Sequence, residues 1–139
     1  MANMRALVFK AIRDRLVTDS TLIGYIPVAK IRTGEGNLPA VYPCLMLGIT
    51  SNENGLTDTL AGRISIRIYT QDQSYAQTLD TIHSRIFALL HKQEISISND
   101  DIAIDMLWEL SASGWINEPE APKDTWSLTA FYVFAAQVK

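Results

Sequence analysis

The sequence has one cysteine, two histidines and no apolar run longer than the seven residues from 130 to 136. Each scarcity excludes something. A lone Cys44 cannot build an internal disulfide framework, nor a cysteine-clustered zinc or iron–sulfur site. Seven apolar residues in a row fall far short of the roughly 20 needed to span a bilayer. The start of the chain is broken by Lys10, Arg13, Asp14 and Arg15, so it lacks the unbroken apolar core of a secretory signal. The expectation is a soluble, intracellular protein. Basic charge is not in excess either. Lys and Arg number 12 against 15 Asp and Glu, a formal net charge of −3. Such a chain has no general attraction for phosphate backbones or anionic lipid.

What is present is enough for one packed domain, taken to span residues 1–139. The chain has 139 residues, 47% of them hydrophobic and 19% charged. A chain of this length and composition buries a core without disulfides or metal.

Periodicity then gives the elements. Met4, Leu7, Val8, Ala11, Ile12 and Leu16 recur at steps of three and four and predict an amphipathic helix, with Asn3 as its N-cap. A short helical turn follows from Ser20 and ends at Gly24. Residues 28–32 predict a short strand, residues 33–39 a loop, and residues 44–49 a buried strand. Asn54-Gly55 lies between this strand and the next, the residue pair of a tight hairpin. Ile64, Ile66 and Ile68 alternate with Arg63, Ser65, Arg67 and Tyr69, a strand with one buried face.

Ser74 stands three residues before Gln77, the spacing of a capping box. It predicts a helix over 75–92, with Ala76, Leu79, Ile82, Ile86, Leu89 and Leu90 as its stripe. Residues 95–98 and 102–110 predict two strands around an Asn99-Asp100-Asp101 turn. Strict alternation would place Ile102, Ile104, Met106, Trp108 and Leu110 on one face. A polar loop over 117–124 leads to a closing strand over 125–138. No β-helix-β rhythm repeats, so the predicted class is α+β: a mainly antiparallel sheet with two helices packed on one face.

The search for chemistry returns bland readings. Gly34-Glu35-Gly36 resembles a phosphate loop but lacks the third glycine, the Lys-Ser/Thr pair and the helix. His83 and His91 lie on one helix about 12 Å apart along its axis, too far to share a metal ion. Asp100, Asp101 and Asp105 lack calcium-loop spacing. Cys44 reads as a buried inert thiol. No catalytic residue, cofactor site or metal site is expected, and the chain is read as a non-enzyme.

One feature exceeds a plain domain. In the closing strand Trp126, Leu128, Ala130, Tyr132 and Phe134 face one way, while Phe131, Val133 and Ala135 face the other. Helices cover one face. The other must be covered by another part of the same chain or by a neighbouring subunit, and both remain open.

The succession of segments resembles the tail-completion, or tail-terminator, proteins of tailed bacteriophages and related gene-transfer particles. The resemblance runs over residues 4–136. It rests on the N-terminal amphipathic helix before Leu22-Ile23-Gly24 and on the short strand ending near Lys30-Ile31. It continues through the stretch from Leu38-Pro39 through Pro43-Cys44-Leu45-Met46-Leu47-Gly48. The strand Ile64-Ser65-Ile66-Arg67-Ile68-Tyr69 then leads into the 76–90 helix, and Trp115, Asp124 and the closing strand end the pattern. The resemblance implies a small protomer that forms a ring, typically six-fold, on the head-proximal end of the tail tube. There it ends polymerisation and offers the head connector a docking surface. Implied partners are copies of itself, the tail tube protein and the connector or neck protein, with DNA passing through the ring and no membrane. The implied location is the tail–neck junction of the virion, with the host cytoplasm during assembly. Under this reading Arg32, Glu35, Arg63, Arg67, Glu118, Glu120, Lys123, Asp124, Phe131 and Val133 are the candidate interface residues. The alternatives are another neck or connector ring component and a small α+β ligand-binding module.

Overall fold

The computed structural model of the protein describes residues 4–33, 42–52, 59–97, 102–119, 121 and 124–138. The sequence calls on Asn3, Gly34-Glu35-Gly36, Asn54-Gly55, the Asn99-Asp100-Asp101 turn, Glu120 and Lys123 lie outside these residues.

The first helix, α1 (Met4–Val17), follows the predicted stripe: Val8, Ile12 and Leu16 sit one turn apart and are fully buried. A second helix, α2 (Ser20–Tyr25), runs one residue past Gly24. Asp19 starts it, its carboxylate accepting from the Leu22 N–H at 2.8 Å. A single 3-10 turn over Val28–Lys30 replaces the start of the first predicted strand, leaving β1 (Ile31–Thr33) only three residues long. The strands β2 (Cys44–Asn52) and β3 (Thr59–Thr70) pair antiparallel in the register Leu45↔Ile68, Leu47↔Ile66, Ile49↔Ile64.

The helix α3 (Tyr75–Leu90) buries Leu79, Ile82, Ile86 and Leu90. The capping box does not form, and the Ser74 side chain makes no cap bond. Asp72 holds the turn instead, accepting from the Ser74 N–H at 3.1 Å and the Thr78 hydroxyl at 3.0 Å. These bonds hold the Asp72 carboxyl below the ordinary carboxylate range. The helix ends at Leu90, two residues short of the prediction, and Lys92 turns the chain at φ 59°. Then come β4 (Ile95–Ile97), β5 (Ile102–Ala112), β6 (Ile116–Asn117) and β7 (Trp126–Val138).

Among the described residues the seven strands form one sheet of order β1-β2-β3-β7-β5-β4, with β6 beside the start of β7. Only β1 and β2 pair parallel; the remaining pairs are antiparallel. The class is α+β with strands dominating, as the segment order predicts. The inward faces of β2, β3, β5 and β7 share one core with the three helices: Leu45, Leu47, Ile64, Ile66, Ile68, Ile104, Leu107, Leu128, Tyr132 and Phe134 against Val8, Ile12, Leu22, Ile82 and Ile86.

Strict alternation fails in β5. Ile104 pairs Ala136 and Met106 pairs Ala135, so Asp105 is an extra residue; a second irregularity falls between Glu109 and Ser111. A bulge adds one residue without a partner and swaps the faces of the residues that follow it, here until the second irregularity swaps them back. Leu107 is therefore buried, whereas Trp108 is 43% exposed and Leu110 53% exposed. The expectation that Trp108 and Leu110 share the inward face of Ile104 is thus corrected.

Candidate functional site: the outer face of the sheet

The face turned away from the helices is set by the same register. One row across it runs Arg63, Val133 and Trp108; the next runs Gly48, Ser65, Phe131 and Ser111; a third runs Met46, Arg67 and Thr129. Arg63 and Arg67 are exposed, and Phe131 and Val133 are half-buried. The Arg63 guanidinium lies 5.9 Å from the centroid of the Phe131 ring. The Lys92 ammonium lies 4.8 Å from the Trp108 ring. Each of these two aromatic rings carries a cation over its face, where the ring quadrupole attracts it.

The two ends of this face differ. Towards the start of β7 the chain covers itself. Cys44, Tyr69, Thr125 and Ser127 are buried there although they point outward. Tyr42 packs beside Cys44 and Tyr69, and burial pushes its phenol above the ordinary range. Glu118 accepts from the Ser127 hydroxyl at 2.6 Å, and β6 pairs Ile116 with Ser127. Of the two covers considered for this face, the same chain therefore accounts for this part of it. This end is closed by the chain, whereas Arg63 and Trp108 are exposed and Val133 is half-buried. Burial pushes the Cys44 thiol up to about 11, against the opposing pull of Arg32 and Lys30. The sequence does not show these basic neighbours, while the expected burial of Cys44 is observed.

The candidate residues therefore separate into groups. Arg63, Arg67, Phe131 and Val133 form one surface. Arg32 is exposed on β1, at the sheet edge two strands from β3. Glu118 and Asp124 lie at the start of β7, roughly 20 Å along the strand from Val133 at ~3.3 Å per residue. Glu35, Glu120 and Lys123 lie outside the described residues. No group of three or more His, Cys, Asp or Glu suited to a metal occurs among the described residues. No described helix is long and apolar enough to cross a membrane.

A solved virion chain shares this fold. It belongs to the virion of a native gene transfer agent particle, superposes with a TM-score of 0.75 at 13% identity, and the match covers 99% of each chain. A second solved chain matches with a TM-score of 0.63 at 9% identity, over 100% of this chain and 99% of the other. At such identities the likeness is one of fold. No protein-family model matches the sequence, and no curated protein does.

Sequence reasoning missed a polar cluster on the opposite face of β5. His83 Nε2 on α3 contacts Glu109 Oε1. His91 Nδ1 accepts the Glu109 backbone N–H at 3.0 Å. Tyr132 of β7 is fully buried, and burial together with the Glu109 charge pushes its phenol far above the ordinary range. The two histidines meet at one residue, His83 at the Glu109 side chain and His91 at its backbone N–H. No sequence signal marks Glu109, because its inward aim is set by the bulges.

Proposed function

We propose that the protein is a structural component of a tailed-phage-like particle that caps the head-proximal end of the tail tube as a ring, and that it carries out no reaction. The observation that carries this reading is the end-to-end match of fold with a gene transfer agent virion chain, 99% of each chain at a TM-score of 0.75. The sequence resemblance points the same way.

The mechanism is one of surfaces. A rotational ring brings different patches of neighbouring protomers together. This chain offers a cationic and aromatic patch at Arg63, Arg67, Phe131 and Val133, and an acidic one at Glu118 and Asp124, to which Glu120 belongs by sequence. One ring face mates with the last tube ring. The other face differs from a tube subunit, so growth stops and the connector docks there.

Native mass across a concentration series, alone and with purified tail tubes, tests the reading. A species near six protomers, or rings formed on tube ends, is the expected result. A chain that stays monomeric alone and does not bind tube ends overturns it. Charge reversal at Arg63 and Arg67, or at Glu118 and Glu120, is expected to weaken assembly while the circular dichroism spectrum is kept. Glu118→Lys also loses the Ser127 bond, a cost of about 1 kcal/mol that leaves the fold intact. Tail joining unimpaired by all four changes removes these surfaces from the interface.

A further inference from the structure

The outer edge of β5 is protected in two ways. β4 pairs its first part, from Ile102 to Ile104. Beyond that point the residues following α3 take over. The Lys92 N–H donates to the Leu107 carbonyl at 2.8 Å, and the Glu109 N–H donates to His91 Nδ1. A side chain thus stands in for the backbone acceptor of a neighbouring strand. The His91 ring is fixed for this by Phe87, stacked at 4.2 Å, and by Trp108, edge-on at 5.4 Å.

An imidazole nitrogen accepts only while it carries no proton, and imidazole gains its charge between about pH 8 and pH 5. We propose that His91 is an acid-sensitive latch on the edge of β5, whose protonation releases the Glu109 amide and frees the strand edge around residues 107–109. The groups around it work in different directions. Lys92 places its positive charge over the Trp108 ring that His91 meets edge-on. Arg15 of α1 reaches the same segment, donating to the Leu89 carbonyl at 3.2 Å and to Gln93 Oε1 at 3.4 Å, and Glu94 follows in the chain. On the inner side a protonated His83 pairs more strongly with the Glu109 carboxylate, next to the buried Tyr132. Acid therefore tightens the side chain of Glu109 and loosens its amide. The edge opens beside the exposed Trp108 and Leu110. An open strand edge next to apolar side chains is a site of association between chains.

Hydrogen exchange read by NMR at the Glu109 and Lys92 amides, corrected for the intrinsic pH dependence, tests the latch at about pH 7.5 and about pH 5. The wild-type protein is expected to lose Glu109 protection about tenfold or more between the two values, since the protonated imidazole no longer accepts the amide. In His91→Gln a carbonyl accepts the amide without titrating, and protection is expected to be the same at both values. His83→Gln is expected to keep the wild-type loss. Unchanged wild-type protection, the same loss in His91→Gln, or its disappearance only in His83→Gln overturns the proposal. If His91→Gln does not fold, the wild-type ring settles the matter by its 15N shifts. An Nδ1 without a proton at the higher pH is expected, and a protonated Nδ1 sinks the latch.

Discussion

Asp19 ties the start of α2 to the side of α3. Its two oxygens accept from Arg85 Nη2 at 2.6 Å and Nε at 2.8 Å, and one also accepts from the Leu22 N–H. The Arg85 bonds, opposed by burial, bring the carboxyl from 3.8 down to about 2. A depressed acid stabilises the fold above its unfolded value and loses that contribution as pH falls through its folded one. The window here is about pH 4 down to about pH 2. Asn caps as well as Asp but cannot pair ionically with arginine. Asp19→Asn is therefore expected to melt below the wild type at neutral pH, with the gap closing across that window. A gap independent of pH removes the ion pair from the account. Ile66, fully buried between α3 and the β2 and β7 strands, makes the apolar counterpart. Ile66→Ala is expected to cost about 2–5 kcal/mol in denaturant titration.

Among the elements, β5 shows where reading by periodicity stops. A strand's faces can be assigned from alternation only if every residue has a partner. The residue at Asp105 without a partner breaks that condition, and the chain from there to the second irregularity faces the other way. Leu107→Ala is expected to cost about 2–4 kcal/mol, and Trp108→Ser under about 1 kcal/mol. Unbroken alternation predicts the reverse order, so chemical denaturation of the two variants decides between them. The helices and β3 posed no such difficulty. In α1 and α3 the apolar steps of three and four survive every local deviation, since a helix has no partner register to slip. The Ser74 box was misread because Asp72, two residues earlier, makes the competing bonds. The parallel β1–β2 pair was unreadable, as three residues carry no period that distinguishes direction.

At the scale of the molecule the sheet has one face under three helices and one that is only partly covered. The rows Arg63–Val133–Trp108 and Ser65–Phe131–Ser111 are built from strands far apart in sequence. Phe131 and Val133 were picked out because the closing strand is apolar on both sides, and Arg63 and Arg67 because they alternate with isoleucines. Their meeting on one surface needed the register. If this surface is a subunit contact, Phe131→Lys with Val133→Lys is expected to abolish higher oligomers in light scattering and leave the monomer folded, since neither side chain belongs to the shared core. Oligomers that persist in this variant move the contact elsewhere on the protomer.

The sequence by itself determined the class of the fold, the inward stripes of α1 and α3, the inward face of β3 and the burial of Cys44. These depend on local spacing and on burial of apolar groups, which a linear pattern records. Only the tertiary structure decided which way Leu107, Trp108 and Glu109 point, and that Glu109 meets His83 26 residues away. It also decided that one end of the outer face is closed by Tyr42 and Glu118. Those outcomes follow from bulges and from pairing between distant segments, and the spacing of residues along a chain carries no record of either.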